Sequence, residues 1–470
     1  MRWKTTLALL LTTIGIGAYI SLYEIRQPDR EEHAHLAKRI LDIQPDAVTQ
    51  LGLDLPKGKV TLSRHDLRWQ IGPSGVRADE TLVTRILNEL TPLMATRVLS
   101  GTPEHPLDTK TFGLDPAVGW LSVVANGKPV TLFIGGTTPV ESHRYLRVSD
   151  RPEIFVVPSS LFDAANQPTE RFRDPLLIRV NGWLVEEVRL TSPTVSFALL
   201  KQQNEWRLMH PFTDRADRAG VTTLLNTLGA LHITRFLNDA PPVEQLSAWG
   251  FDHPKAEISL RQGNSSTKPV TLFVGNPLTD DPSLVYAKRS DEPSLYAVAD
   301  AEVEQLLSDP QELRSKACFD LFTATVTKVE VSHEGSRWVI ERTGDQWREA
   351  GTGVALDTAK VETLLRQFSD VRLSGFVDDT PSDLSRYGLH DPSATIAVWT
   401  SDPEHPQRLL IGSAIEGSTN RYGRIEGRDA VIRLPDLATT LASTPLAQLR
   451  PAATSPASPQ TPVIPPAQSR

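Results

Sequence analysis

The chain contains 470 residues, of which 39% are hydrophobic and 23% are charged. This balance is typical of folded globular domains, and the length predicts about three of them. Lysine and arginine number 49 and aspartate and glutamate number 57, so the net charge of −8 argues against a dedicated nucleic-acid binder. The single cysteine, Cys318, excludes an intrachain disulfide and a structural zinc site that needs several cysteines.

The N-terminal segment, residues 1–23, predicts an uncleaved transmembrane signal anchor. Arg2 and Lys4 precede nineteen uncharged residues, 5–23, which as a helix would reach about 28 Å, close to a ~30 Å hydrocarbon core. The alternative is a cleaved signal peptide, which needs a shorter apolar region and a better cleavage site. Because acidic residues dominate the segment after the span, we expect a cytoplasmic N-terminus and a periplasmic body on a bacterial inner membrane.

After a juxtamembrane linker over residues 24–45, the body repeats one pattern three times. Residues 128–135 return as residues 268–275 with seven of eight positions identical, and a looser copy lies at 406–412. Other landmarks share the spacing: a tryptophan that ends a strand, an aromatic-Gly-apolar motif, and a tyrosine that opens a strand. They are Trp69, Trp206 and Trp347; residues 112–114, 249–251 and 387–389; and Tyr145, Tyr286 and Tyr422.

An amphipathic helix is the most regular element of each copy. Its apolar residues follow the spacing 3, 1, 3, 3, which places them on one helical face. They are Val83, Ile86, Leu87, Leu90 and Leu93; Val221, Leu224, Leu225, Leu228 and Leu231; and Val361, Leu364, Leu365, Phe368 and Val371. An aspartate lies four residues before each set and is predicted to cap the helix: Asp79, Asp217 and Asp357.

Alternation of apolar and polar residues around this helix predicts half-buried antiparallel strands. Each copy should hold two or three strands, the helix, a short helical turn, four strands and a closing helix, the last at 159–165, 301–307 and 434–441. The predicted fold class is α+β, with three tandem homologous units after a single transmembrane helix. We call these units repeats 1, 2 and 3, and predict them over 46–176, 177–318 and 319–450, before a disordered proline-rich tail at 451–470.

Motifs that carry chemistry are missing from the sequence. It contains no Walker A motif, no G-x-G-x-x-G that opens a helix, no H-E-x-x-H pair and no G-x-S-x-G elbow. Gly351 and Gly353 are interpreted as a turn, His33 and His35 as solvated linker residues, and Cys318 as a buried small residue. We therefore predict no catalytic, cofactor-binding or metal-ligating residue and no enzymatic activity.

Three series of residues recur between the copies and are candidates for binding sites. Aspartates beside the aromatic-Gly motif could each ligate a partner, but a turn role is favoured: Asp115, Asp252 and Asp391. The aromatic residues of the motif are interpreted as core residues whose glycines cap a helical turn, with sugar stacking as the alternative: Phe112, Trp249 and Tyr387. Basic residues on a strand are interpreted as solvated charges rather than a binding face: Arg147, Lys288 and Arg424.

The tryptophan-ended strands, the Asp-capped helix, the element at residues 112–116 and the Leu-Phe-Ile-Gly strand resemble the family called domain of unknown function 4340. The resemblance covers residues ~45–450. It carries over no site residue, because the family is uncharacterised, and it implies association with ABC-type transport components of the gliding-motility kind. The third copy departs at its Leu-Leu-Ile-Gly strand, which suggests a degenerate capping unit.

Together these observations predict a membrane-anchored, extracytoplasmic interaction or scaffold protein of an envelope transport complex. Repeat arrays offer extended surfaces of the kind that scaffolds use. The membrane would be contacted through residues 5–23, the partners would be proteins, and neither a nucleic acid nor a small-molecule ligand is expected. The alternative is a periplasmic module that binds an envelope glycan or peptide.

Overall fold

The computed structural model describes Thr13 and residues 38–451, apart from residues 67, 74, 103, 140, 141, 308, 401 and 403. Thr13 aside, the predicted anchor at residues 1–23 lies outside the described residues, as do most of the predicted linker and the predicted tail beyond Pro451. Within the described residues, no helix combines the length and the apolar character that a membrane crossing requires.

Repeat 1 forms a nine-stranded sheet and two helices. The strands are β1 (Val48–Leu55), β2 (Gly58–His65), β3 (Arg68–Ile71), β4 (Val76–Arg77), β5 (Arg97–Leu99), β6 (Gly119–Ala125), β7 (Lys128–Thr137), β8 (His143–Val148) and β9 (Ile154–Pro158). The helices are α1 (Glu80–Leu90) and α2 (Ser160–Ala165). The strand order is β4-β3-β2-β1-β6-β7-β8-β9-β5, so two antiparallel meanders meet where β1 pairs with β6.

Repeat 2 has the same element order and the same nine-stranded topology. Its strands are β10 (Val185–Thr191), β11 (Ser196–Gln202), β12 (Glu205–His210), β13 (Asp214–Arg215), β14 (Ile233–Asn238), β15 (Ala256–Gln262), β16 (Val270–Pro277), β17 (Leu284–Arg289) and β18 (Leu295–Ala299). Its helices are α3 (Arg218–Gly229) and α4 (Asp300–Glu304). The strand order is β13-β12-β11-β10-β15-β16-β17-β18-β14.

Repeat 3 has eight strands, because no described strand corresponds to β4 and β13. The strands are β19 (Lys328–His333), β20 (Ser336–Thr343), β21 (Gln346–Glu349), β22 (Gly375–Asp378), β23 (Ala394–Trp399), β24 (Gln407–Ala414), β25 (Arg421–Ile425) and β26 (Val431–Leu434). The helices are α5 (Thr358–Asp370) and α6 (Asp436–Ala442). The order β21-β20-β19-β23-β24-β25-β26-β22 leaves β21 at one edge.

Contacts divide the chain into two compact units that do not coincide with the repeats. The first contact unit consists of Met1–Arg179, Ala230–Asp252 and Asn276–Asp300, and it contains all of the sheet of repeat 1. The second consists of Val180–Gly229, His253–Gly275 and Ala301–Arg470, and it contains all of the sheet of repeat 3.

The predicted helix caps are confirmed in all three repeats. The Asp79 carboxylate accepts hydrogen bonds from the backbone N–H groups of Thr81 and Leu82 at the start of α1. Asp357 does the same at α5, and Asp217 Oδ1 lies 2.7 Å from the backbone nitrogen of Gly220 in α3. The predicted apolar residues on each helix are buried in a core against the sheet, and the three closing helices also form where predicted.

Repeats 1 and 2 have a fourth strand before the capped helix, β4 and β13, where two or three strands were predicted. In every repeat a further strand was not predicted. It follows the capped helix and pairs with the last strand of the sheet: β5 with β9, β14 with β18, and β22 with β26. These edge strands have three to six residues, and their burial does not alternate along the strand. Alternation arises when one face of a strand is buried, so a short edge strand without it leaves little trace in the sequence.

The aromatic-Gly motif folds as a loop that lies against a strand. Its glycines adopt positive φ angles of 62° at Gly113, 85° at Gly250 and 65° at Gly388, as predicted. The backbone nitrogen of Gly136 in β7 donates to the carbonyl of Phe112 over 2.9 Å. This approach explains the glycine at positions 135 and 412, because a Cβ would lie 2.5 Å from the Phe112 oxygen at Gly135 and 2.2 Å from the Tyr387 oxygen at Gly412.

The aromatic residue of the motif packs on the repeated tyrosine instead of entering the core. Ring centroids are 4.8 Å apart for Phe112 and Tyr145, and 5.1 Å apart for Tyr387 and Tyr422. In repeat 2 the corresponding distance, from Trp249 to its tyrosine, is 5.7 Å. Phe112, Trp249 and Tyr387 are half-buried, so their interpretation as core residues was wrong.

We expect Gly412→Ala to destabilise repeat 3, because a Cβ there would lie 2.2 Å from the Tyr387 carbonyl oxygen. Overpacking of this kind costs about 1–3 kcal/mol. The matched control is Gly375→Ala in the same repeat, where no atom lies within 4 Å of the new Cβ. Urea unfolding followed by circular dichroism measures both. Equal urea midpoints for the two variants would contradict the claim that the loop at Tyr387 requires a glycine at position 412.

Candidate interaction sites

The individual residues that the sequence offered as candidate sites have structural roles wherever they are described. Cys318 is 2% exposed, and burial raises the pKa of its thiol to about 12, which disfavours a reactive thiolate. Gly351 and Gly353 have positive φ angles in the turn after β21. The recurrent aspartates are exposed in turns and bends: Asp115, Asp252 and Asp391. His33 and His35 lie outside the described residues.

The recurrent basic residues are half-buried rather than solvated. The Arg147 guanidinium lies 4.8 Å from the ring centroid of Phe133, and the Lys288 ammonium lies 5.8 Å from that of Phe251. Arg424 donates to the carbonyl of Arg428 over 3.2 Å. Each residue therefore supports its own sheet or turn. Among the residues described, no group of three or more His, Cys, Asp or Glu side chains is placed to hold a metal ion.

Sequence reasoning missed a polar constellation that forms where one repeat passes into the next. In the first contact unit, Arg173 makes two 2.7 Å hydrogen bonds to the Asp239 carboxylate and lies 5.0 Å from the ring of Phe236. The hydrogen bonds to Asp239 raise the pKa of Arg173. Beside them, Arg77 contacts Asp174 at 2.6 Å and Glu292 at 3.0 Å.

The second contact unit contains the corresponding arrangement around Arg314. This side chain is 1% exposed and lies 3.4 Å from the ring of Phe376 and 2.7 Å from an oxygen of Asp379. Asp214 accepts from Arg314 at 2.7 Å and from Arg428 at 2.6 Å. Burial favours a higher pKa for Asp214, but the hydrogen bonds and charges of Arg428 and Arg314 outweigh it and hold the pKa below its usual range.

A third set of arginines binds the chain as it enters each repeat. A guanidinium nitrogen lies 2.9 Å from the Arg39 carbonyl oxygen before repeat 1, 2.7 Å from that of Leu177 at the start of repeat 2, and 3.5 Å from that of Ala317 just before repeat 3. The donors are Arg151, Arg289 and Arg428. Arg289 ends β17, whereas Arg151 and Arg428 lie three residues after the ends of β8 and β25, which is why no simple period revealed them.

Repeats 1 and 3 each lack one of the residues that form a junction. At the position of Phe236, opposite the last strand of the sheet, repeat 1 has Val98. Two residues before the capping aspartate, where repeats 1 and 2 have Arg77 and Arg215, repeat 3 has Ala355. Its final arginine, Arg450, binds Glu349 of the same repeat over 3.1 Å.

Exposed aromatic residues mark the turns that lead into β10 and β19. Trp183 is 89% exposed and the adjacent Leu184 is 53% exposed. Phe322 lies on the corresponding turn of repeat 3 and is 72% exposed. The turn of Trp183 is fixed by hydrogen bonds from its backbone nitrogen to Asn181 Oδ1 over 3.2 Å and from Lys201 Nζ to its carbonyl over 3.3 Å.

A groove of about 800 Å³ lies on repeat 3. Its walls come from β19, β20, the end of β21 and the loop after α6. Trp338 supplies its aromatic surface, and the indole nitrogen donates to the Thr444 carbonyl over 3.0 Å, which ties the loop to the sheet. His333, Ser336 and Arg337 add polar groups to the same wall. The groove combines an aromatic face with hydrogen-bond donors.

Asp214→Ala should destabilise the second contact unit by about 3–5 kcal/mol, because it leaves buried guanidinium groups without their carboxylate. Asp320→Ala is the matched control: its carboxylate is 65% exposed and 3.7 Å from Arg215, and exposed pairs contribute about 0–1 kcal/mol. Urea unfolding of both variants measures the difference. A similarly small loss of unfolding free energy in both variants would show that the ion pairs of Asp214 stabilise the fold no more than an exposed ion pair does.

The contribution of Asp214 should also depend on pH. Its folded-state pKa lies below the unfolded value of about 3.9, so the stabilisation is complete above that value and is lost as pH falls through the folded pKa. The stability gap between the parent chain and Asp214→Ala should therefore be largest near neutral pH and should shrink at about pH 2–3. Urea midpoints at the two pH values test this, and a constant gap would contradict it.

Comparison with known families and proteins gives one relationship. The model of the domain of unknown function DUF4340 matches residues 69–248, 206–383 and 350–453, which together cover residues 69–453 without a gap. Each of the first two matches contains one complete Arg-Phe-Asp junction, around Arg173 and around Arg314. A search of curated proteins finds no match. The chain belongs to the DUF4340 family, in three tandem copies.

Proposed function

We propose that this protein is a membrane-anchored extracytoplasmic scaffold that binds protein partners in an envelope transport complex of the ABC or gliding type. The observation that carries the proposal is the exposed tryptophan on the turn before β10. Trp183 is 89% exposed, although tryptophan is highly buried on average in folded proteins. Tryptophan is also among the residues that contribute most to binding at protein interfaces.

The backbone of this turn is held in a defined conformation before any partner binds. The backbone nitrogens of Leu184 and Val185 donate to the Asn181 carbonyl, and the nitrogen of Gly263 donates to the Leu184 carbonyl over 2.7 Å. A side chain on a fixed turn needs little further ordering of its backbone, so less of its contact energy is lost on association. The turn therefore suits insertion of the indole into a pocket of a partner.

A second exposed aromatic residue on the corresponding turn of repeat 3, two positions earlier in the turn than Trp183, supports the use of this turn for binding. The turn there is closed by a hydrogen bond from the Thr325 nitrogen to the Phe322 carbonyl over 2.9 Å. Repeat 1 has Asp46 on its own leading turn, with a side chain that is 98% exposed. We expect repeats 2 and 3, rather than repeat 1, to contribute the main apolar contacts to the partner.

The location and the class of partner come from the sequence. The uncharged run at residues 5–23 and the charges around it favour a signal anchor with the body outside the cytoplasm. Resemblance to the DUF4340 family suggests transport components as partners. A transporter at the same membrane would be within reach of an anchored body.

The test is photo-crosslinking in intact cells, with a photoreactive amino acid placed at Trp183 or Phe322. Membranes are then solubilised, the full chain is purified through a tag after Arg470, and crosslinked proteins are identified by mass spectrometry. We expect transporter subunits to be crosslinked at both positions. The control position is Val243, which is 75% exposed on a different turn. Equal products at all three positions, or none from well-solubilised membranes, would overturn the proposal.

Trp183→Ala should reduce recovery of the crosslinked partner at Phe322 by about tenfold or more, as expected for an interface hot spot of about 2 kcal/mol. The change should leave the free energy of unfolding, measured by urea titration, within about 0.5 kcal/mol of the parent, because the side chain is 89% exposed. Val243→Ala is the matched substitution and should leave recovery unchanged. If recovery of the partner is unchanged with Trp183→Ala, the indole of Trp183 does not contribute to the interface.

A further inference from the structure

We propose that the pocket beside Arg215 binds a carboxylate group from outside the chain. The pocket has a volume of about 330 Å³ and lies wholly on the second contact unit. Its lining includes Arg215, Arg218 at the start of α3, and Ser315 on the segment that leads into repeat 3. If the carboxylate belongs to a protein partner, the inference rests on the proposed scaffold function; if it belongs to a free carboxylic acid, the inference stands alone.

Repeat 1 shows how the chain itself neutralises an arginine at this position. Arg77 lies two residues before its capping aspartate, as Arg215 does in repeat 2. The Arg77 guanidinium lies 2.6 Å from Asp174 and 3.0 Å from Glu292, and the side chain is 15% exposed. Both of its partners are carboxylates of the same chain, so this guanidinium needs no anion from elsewhere.

The first of these carboxylates is replaced by a hydroxyl in repeat 2. The backbone nitrogen of Asp174 donates to the Arg77 carbonyl over 3.0 Å. In the same way, the backbone nitrogen of Ser315 donates to the Arg215 carbonyl over 2.9 Å, so Ser315 occupies the position of Asp174. The serine side chain is shorter and uncharged. The place that a carboxylate fills in repeat 1 is therefore without one here.

The second carboxylate is replaced by a base. Glu292 precedes β18 by three residues, and the residue three before β26 is Arg428. Arg428 binds Asp214 at 2.6 Å, and Arg314 binds the same carboxylate at 2.7 Å. Asp214 is thus already shared by two guanidinium groups. The second junction therefore offers less negative charge to Arg215 than the first offers to its counterpart.

Arg215 retains donors that can reach a ligand in the pocket. Its Nη2 donates to the Ala317 carbonyl over 3.2 Å and to the Ser315 hydroxyl over 3.4 Å. Its Nη1 lies 3.7 Å from a carboxylate oxygen of Asp320, which is beyond hydrogen-bond distance, and Asp320 is 65% exposed. Within the part of the chain that the structure describes, Nε and Nη1 make no hydrogen bond.

The electrostatics of the two arginines differ in the same sense. Burial lowers the pKa of both guanidinium groups, but at Arg77 the neighbouring carboxylates outweigh burial and raise the pKa. At Arg215 the charge of Asp320 does not compensate for burial, and Arg428 lowers the pKa further. An anion placed against Arg215 would supply the missing compensation.

The lining also restricts the charge of the ligand. Glu205, Asp217 and Asp320 line the pocket together with the arginines. Asp217 is engaged at the cap of α3, where Oδ1 lies 2.7 Å from the Gly220 nitrogen, but Glu205 and Asp320 would repel a doubly charged phosphate. A carboxylate carries a single charge and can accept two parallel hydrogen bonds from one guanidinium. The pocket therefore suits a carboxylate better than a phosphate.

The test is binding of acetate to the purified full chain, measured by NMR as saturation transfer from the protein to the acetate methyl protons. Arg215→Gln should reduce the transfer by about tenfold, because hydrogen bonds to charged groups are among the strongest. Ser315→Asp should reduce it as strongly, because it restores the internal carboxylate of repeat 1. The matched control is Arg366→Gln, an exposed arginine on α5 that donates to Thr363, and it should leave the transfer unchanged.

Ser315→Asp keeps the arginine in place, so the result does not depend on whether the fold tolerates Arg215→Gln. Equal transfer in the parent and in Ser315→Asp would overturn the proposal, and so would the absence of transfer in the parent. Inorganic phosphate that displaces acetate more strongly than propionate does would also overturn it, because the pocket would then select a double charge.

Crosslinking at Phe322 in cells distinguishes the two sources of the carboxylate. If Ser315→Asp lowers recovery of the partner as well as acetate binding, the carboxylate belongs to the partner. If it lowers acetate binding alone, the ligand is a free carboxylic acid. Acetate binding requires no partner, so it can succeed where crosslinking at Trp183 fails, and the reverse. The two proposals are therefore tested separately.

Discussion

A guanidinium between an aromatic ring and a carboxylate joins each repeat to the next. Arg314 shows the physical problem most clearly, because it is 1% exposed and its charge has no access to water. Such a group is tolerated only when a carboxylate lies in contact and the remaining donors are bonded. Asp214 and Asp379 meet the first condition, and Gln311 accepts a further hydrogen bond. Because directional bonds are required, the junction accepts few alternative arrangements.

The backbone connects this junction to the capped helix of the preceding repeat. The nitrogen of the capping aspartate donates to the carbonyl just before the final arginine, over 2.7 Å at Asp79 and Asp217 and 2.8 Å at Asp357. The cap therefore acts at two levels. Its carboxylate satisfies the first turn of the helix, and its backbone places the arginine that leads to the next repeat. A single residue thus links helix formation to the arrangement of neighbouring repeats.

The helix, its cap and the glycine loops could be predicted because each leaves a local pattern. Helical spacing and the aspartate at Asp357 depend on residues within one or two turns. The junctions could not be predicted, since Arg173 and Asp239 are 66 residues apart and neither has an unusual local sequence. Trp183 was missed for another reason: exposure of a large apolar residue is visible only after folding. The short edge strands could not be predicted because buried and exposed residues do not alternate along them.

Each junction has a donating half, the arginine of one repeat, and a receiving half, the aromatic and carboxylate residues of the next. Only repeat 2 contains both halves. Repeat 2 supplies the receiving half with Phe236 and Asp239, and it supplies the donating half with Arg314. Repeat 1 has Val98 in place of the receiving aromatic residue. Repeat 3 has Ala355 in place of the second arginine, which is Arg77 in repeat 1 and Arg215 in repeat 2. In evolutionary terms, tandem duplication of repeat 2 would create a matching boundary at once. Duplication of either outer repeat would create a boundary that lacks one of its members.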